Sequence, residues 1–130
     1  DVYKRQDKTL ARRLDNRLKQ AGQTASKTRL LSGPMLGLLE SGDWEAGAAH
    51  ANLMAQRLAA GIATRSSFVL AHPVEANAVF VRMTPEAHAR LTDLGWACYP
   101  FDDGSVRFVC SWTTDEASVD ALIDAVASLD

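Results

Sequence analysis

No apolar run in this chain approaches the ~20 residues that a helix needs to cross a bilayer. No glycine-rich phosphate loop, nucleophile motif or metal-ligand spacing interrupts it either. An excess of charge of one sign is also missing, since 14 basic and 16 acidic residues leave a formal net charge of -2. With a pI near 5.9, no global field draws the chain to nucleic acid or to an anionic membrane. The local exception is the basic stretch "KTLARRLDNRLKQ". Cysteine is scarce: Cys98 and Cys110 have no metal spacing and read as free thiols in a reducing compartment, which sets the expectation of a cytoplasmic protein. His50, His72 and His88 are scattered and read as surface or packing histidines, not as a metal site. What remains is 130 residues, 47% hydrophobic and 23% charged, which suits roughly one soluble globular domain.

The chain opens on Asp1, and "DVYKRQ" fits the codons GAT GTG TAT AAG AGA CAG. These resemble the end of a transposon adaptor used to prepare sequencing libraries. Residues 1–6 are therefore expected to be an adaptor-derived scar outside the fold, and the rest the C-terminal part of something longer.

From Thr9 to about Leu31 the pattern is helical. Leu10, Leu14 and Leu18 repeat every four residues, Ala21 and Ala25 continue the stripe, and Arg12, Arg13, Arg17 and Lys19 occupy other faces. "SGP" at 32–34 is expected to break or kink the chain before a short apolar segment, "MLGLLESG". Trp44, Ala48, Ala51, Met54, Leu58 and Ile62 then predict a long amphipathic helix over 43–63. Beyond it the period changes to two, and "SFVLA" and "NAVFVR" read as strands. "TPEAHARLTDLG" reads as a helix capped by Thr84 and stopped by Gly95. "WACYPF" and "SVRFVCSW" flank the turn "DDG" as a hairpin, and Thr113 with Glu116 forms a capping box for a last helix.

The hairpin register follows from counting. A three-residue loop over 102–104 sets Phe101 opposite Ser105, Tyr99 opposite Arg107 and Cys98 opposite Phe108. Trp96, Cys98, Pro100, Val106, Phe108, Cys110 and Trp112 then share an apolar face for the helices to cover, and Tyr99, Arg107, Val109 and Ser111 share the other. Arg107 thus points away from the core. Spacing alone leaves it open whether this is a solvated or salt-bridged arginine, or a bidentate anchor for a carboxylate. Tyr99 as its cross-strand neighbour fits either. The cluster Arg12, Arg13, Arg17 and Lys19 is most simply a solvated helix face, with phosphate binding as the alternative.

Taken in order, "KQAG..ASK", "AHAN.MA.RLA", "PVEANAVF" and "RFVCSW" give the chain a likeness to a known family. It resembles the C-terminal third of low-specificity L-threonine aldolases, of the aromatic amino acid beta-eliminating lyase and threonine aldolase family, over nearly everything after residue 6. The resemblance implies a fold-type I, pyridoxal-phosphate-dependent enzyme: a helix-flanked, mainly antiparallel α/β (α+β) small domain at 43–130, preceded by a helical segment at 7–42 from the end of the large domain. It implies a lyase of amino acid metabolism that cleaves L-threonine or L-allo-threonine to glycine and acetaldehyde, with pyridoxal 5'-phosphate as electron sink. Partners would be the amino-acid substrate and further copies in a homodimer or homotetramer, with no nucleic acid and no membrane. Residue by residue, Arg107 matches the arginine that pairs with the substrate carboxylate, with Tyr99 beside it. Lys19 stands where many relatives have an arginine that reaches the cofactor phosphate of a neighbouring subunit, and Arg12 is a second candidate. The lysine that holds the cofactor, the ring that stacks on it and the aspartate at its pyridine nitrogen would lie upstream of Gln6, so no catalytic residue and no metal ligand is expected here. Other readings stay open: another fold-type I lyase or transferase, or a free-standing ferredoxin-like ligand-binding module.

Lys27, in "ASK", continues the helical stripe and is rejected as the cofactor lysine. The chain mixed with pyridoxal phosphate should accordingly give no absorbance band that survives dialysis and cleave no threonine. A dialysis-resistant adduct mapped to Lys27 by peptide mass would overturn that rejection.

Overall fold

The computed structural model describes residues 8–130, with side chains from residue 13 onward, so the expected scar at residues 1–6 lies outside the described residues. The chain divides into two compact units, Asp1–Ser41 and Gly42–Asp130.

The first unit holds α1 (Lys8–Gln20) and α2 (Arg29–Ser41). One helix was expected from residue 9 to 31, but α1 stops at Gln20. The cause is Gly22, whose φ of 67° places it in the left-handed region that glycine tolerates. The Gly22 N–H donates to the Lys19 carbonyl at 3.1 Å and the Gln23 N–H to the Leu18 carbonyl at 2.9 Å. This is the Schellman pair that closes a helix C-terminus. Ala21 and Ala25 therefore do not extend the leucine stripe, and Lys27 sits in the connection and not on a helix, which removes the ground given for rejecting it. The break expected at "SGP" is absent too: Pro34 lies inside α2. Its ring deprives the Leu30 carbonyl of a donor. Since α2 buries none of its residues, water can serve that carbonyl.

The second unit runs α3 (Asp43–Arg65), β1 (Val69–Leu70), β2 (Ala78–Arg82), α4 (Pro85–Asp93), β3 (Tyr99–Pro100), β4 (Ser105–Val109) and α5 (Glu116–Ala127). The strands form one sheet in the order β1-β2-β4-β3, with antiparallel pairing throughout. The expected α+β class, a helix-flanked antiparallel sheet, is the one observed. The run β2-α4-β3-β4-α5 follows the start of a ferredoxin-like order, and β1, which precedes it, adds to the free edge of β2.

Alternation places Val79, Val81, Val106 and Phe108 on one face of the sheet, where they meet Met54, Leu58 and Ile62 of α3 and Val119, Ile123 and Val126 of α5. Full burial of each such side chain contributes roughly 1.5–3 kcal/mol. The α3–α5 ion pairs on the rim, Arg57 with Asp120 at 2.8 Å and Arg65 with Asp124 at 2.5 Å, are 41–62% exposed. They orient the helices more than they stabilise them. The apolar stripe of α3 begins at Ala51; Trp44 and Ala48, expected to share it, are exposed. Trp112 is corrected likewise. Strand β4 ends at Val109, so alternation no longer governs Trp112, which is 74% exposed. Pro100 also lies exposed, at the edge strand.

Local signals hold at α4. The Thr84 hydroxyl accepts from the Ala87 N–H at 3.2 Å, and Gly95, at φ 90°, closes the helix with the same Schellman pair as Gly22, Gly95 N–H to Thr92 and Trp96 N–H to Leu91. At α5 the cap is Asp115, which accepts from the Ser118 N–H at 2.7 Å. The expected Thr113 cap is instead part of a turn in which Ser111, Thr113 and Thr114 bond one another.

Gly61 of α3 faces Ile123 of α5, where an added Cβ would come within 2.7 Å of Ile123 Cγ1. Gly61→Ala should destabilise by about 1–2 kcal/mol, because overpacking outweighs the gain in helix propensity. Denaturant melts should show the loss nearly vanish when it is introduced into Ile123→Ala, and simple additivity would exclude this contact as its cause.

Candidate functional site

Opposite the core, the sheet presents an open face around Arg107. Pairing sets Arg107 of β4 between Phe80 of β2 and Tyr99 of β3, so the Tyr99–Arg107 register reached by counting is the one formed. Phe101, two residues past Tyr99, shares its face by the strand period. The Arg107 Cζ atom lies 5.7 Å from the Tyr99 ring centroid and 5.5 Å from that of Phe101, within cation–π range. The rings form a continuous wall: Tyr99 to Phe101 at 5.3 Å, Phe101 to Phe80 at 5.7 Å and Phe80 to His72 at 5.4 Å.

Arg107 is half-buried, and its Nε is buried with no hydrogen-bond partner among the described residues. No described carboxylate pairs with it, whereas Arg57 and Arg65 both have acidic partners. A structural arginine on a sheet would normally be salt-bridged or fully solvated; this one is neither. A partly dry, uncompensated guanidinium suits a planar anion, because a carboxylate presents two oxygens to its fork.

Of the other site candidates, Lys19 is exposed in the last turn of α1, in the first unit. Arg12 belongs to the same helix, and its side chain lies outside the described ones. Tyr99 and Arg107 are brought together. Phe80, Phe101 and His72 were not singled out from the sequence. Phe101 was legible, since it shares the period of Tyr99, but Phe80 reaches Arg107 through β2–β4 pairing, which joins strands distant in the chain. Two of the histidines pair with backbone carbonyls, His50 Nε2 with that of Thr114 at 2.7 Å and His88 Nε2 with that of Cys98 at 3.4 Å. Burial pushes the thiols of Cys98 and Cys110 up from their ordinary value, which keeps them protonated and unreactive at neutral pH. A separate cavity of about 280 Å³ runs beneath Trp96 between Phe108 and Leu122, but no charged side chain lines it.

Comparison with known proteins places the chain among relatives of one name. The chain is 49% identical over 114 residues to the low specificity L-threonine aldolase of a Pseudomonas species, which covers 87% of this chain and 33% of that protein. With the enzyme of the same name from Pseudomonas aeruginosa it shares 44% over 110 residues, 84% of this chain and 32% of that one. The chain is related to low specificity L-threonine aldolases. It spans about a third of the length of these curated relatives, their C-terminal third. A solved threonine aldolase from Leishmania major superposes with a TM-score of 0.54 at 29% identity, over 62% of this chain and 25% of the other. No protein-family model matches the chain. Among the described residues, no helix is long and apolar enough to cross a membrane.

The geometry around Arg107 depends on the turn before it. Asp103 Oδ1 accepts from the Ser105 hydroxyl at 2.6 Å and from its N–H at 2.9 Å. These bonds, the hydroxyl one first, hold the carboxyl below the ordinary aspartate range. Asp115 is lowered by hydrogen bonds from Ser118 and Asp120 by those from Arg57. A carboxyl depressed by folding contributes stability above its unfolded value, about 3.9, and that contribution is lost as pH falls through the folded value. Melting temperature should therefore drop as pH is lowered below about 4. Asp103→Asn should flatten part of that drop, and an unchanged acid limb would show that this carboxyl is not depressed.

Proposed function

We propose that this chain is the C-terminal part of a pyridoxal-phosphate-dependent threonine aldolase, an aldehyde-lyase that cleaves L-threonine or L-allo-threonine to glycine and acetaldehyde, and that Arg107 receives the substrate carboxylate. The observation that carries it is the unpaired guanidinium of Arg107, set in an aromatic frame on the open sheet face. Its terminal N–H groups donate to the two carboxylate oxygens and fix which bond at Cα the reaction presents for cleavage. Tyr99 borders this position. The residues fit the substrate end of such a site better than its cofactor end. Lys19, and Arg12 of the same helix, would reach the cofactor phosphate as cations, Lys19 as a point charge without a fork. When bound, pyridoxal phosphate supplies the electron sink for the glycine carbanion. The group that holds it covalently lies in the part of the protein outside this chain, so the chain alone is inactive. The whole enzyme works as a homodimer or homotetramer in the cytoplasm.

The test joins residues 8–130 of this chain to the upstream two-thirds of the Pseudomonas relative. Hydrogen bonds to a charged group contribute about 1.5–3 kcal/mol each, so Arg107→Ala should lower kcat/KM for threonine on the order of a hundredfold or more. Arg107→Lys, which keeps the charge and loses the fork, should fall in between. The cofactor absorbance should persist in both. Unchanged kcat/KM in Arg107→Ala would overturn the assignment.

A further inference from the structure

We infer that Tyr99 and Phe101 are positioning residues that seal one side of the Arg107 guanidinium, so that a carboxylate can engage it only end-on, through the two terminal nitrogens. The inference rests on the carboxylate reading above and narrows it. A guanidinium can offer a carboxylate two edges. One is the pair of terminal nitrogens, and the other is one terminal nitrogen together with Nε. The second edge is closed here. Nε is buried and makes no hydrogen bond among the described residues, and the Tyr99 and Phe101 rings stand 5.7 and 5.5 Å from the guanidinium carbon. Phe80, the cross-strand partner of Arg107 on β2, braces Phe101 from the other side at 5.7 Å.

A buried N–H without a partner is costly, and the attraction between the cation and the electron-rich ring faces offsets part of that cost without neutralising the charge. An acidic neighbour would have anchored the side chain as firmly, but it would have competed with the incoming carboxylate. Rings fix the fork and leave its charge available. The selection of rings over a carboxylate partner thus has a functional consequence, and it makes Phe101, which touches neither substrate nor cofactor in this scheme, a determinant of substrate orientation.

At 14.1 kDa the chain suits nitrogen-15 NMR, with the Arg107 Nε–H signal assigned by its loss in Arg107→Lys. That proton should exchange with solvent at least about tenfold more slowly than those of the exposed Arg13 and Arg17, since exchange requires local opening. It should also lie upfield of them, shifted by the rings. Phe101→Leu should abolish both properties, and Phe101→Tyr, which keeps a ring, should retain them. Sodium acetate, against sodium chloride at equal ionic strength, should shift the terminal nitrogen signals and leave Nε–H in place. Exchange as fast as at Arg13, or protection that survives Phe101→Leu, would overturn the sealing role. A downfield shift of Nε–H on adding acetate would overturn end-on binding. Acetate that moves no Arg107 signal would overturn the carboxylate reading, and end-on binding with it, while the exchange data still judge the seal by itself.

Discussion

Between Phe101 and Ser105 the chain reverses through three residues, and the carboxylate of Asp103 ties the reversal by accepting both the hydroxyl and the N–H of Ser105. Gly104, at φ 79°, supplies the left-handed residue that such a loop requires. This turn sets the register of β3 on β4, and everything on the open face follows from it. A slip of one residue would send Arg107 into the core and Val106 or Phe108 out to solvent. Burial of Val106 and Phe108 under α3 and α5 opposes that slip by several kcal/mol. The core thus holds the arginine in place from the opposite face of the sheet.

The division of labour between the two faces explains the chemistry available. The covered face is apolar and closely packed, down to the contact of Gly61 with Ile123. The open face gathers aromatic side chains around Arg107, which has no acidic partner among the described residues, while Arg82 lies exposed further along β2. Such a face is costly in water unless something covers or binds it. In the proposed enzyme the substrate carboxylate, and the protein around it, do both.

The helical unit behaves differently. Its helix α2 exposes Leu30, Leu31, Met35, Leu36 and Leu39, so its stability cannot come from burial within the unit. Glycine punctuation shapes it instead: Gly22 ends α1 by the same hydrogen-bond pair with which Gly95 ends α4. The two glycines stand in similar settings, after a helical stripe. Gly95 was legible as a stop because a helix cap, Thr84, opened the same short helix, whereas Gly22 was obscured by alanines that prolonged the apolar period.

By itself the sequence determined the elements whose signal is local. Period marked α3 and α5, period with a cap marked α4, alternation marked β2 and β4, and counting across a three-residue loop set Tyr99 opposite Arg107. Where the pattern was continuous but the backbone was not, it misled, as with the helix expected to run on to Leu31 and the stripe expected to include Trp44. Only the tertiary structure decided what lies beside Arg107 on its β2 side. The pairing of β2 with β4 brings Phe80 to it across more than twenty residues of chain, and no local preference encodes which distant strand will lie beside another. That pairing is selected by the shared burial of Val79, Val81, Val106 and Phe108 on the far face, so the wall of rings around the guanidinium is a consequence of the core.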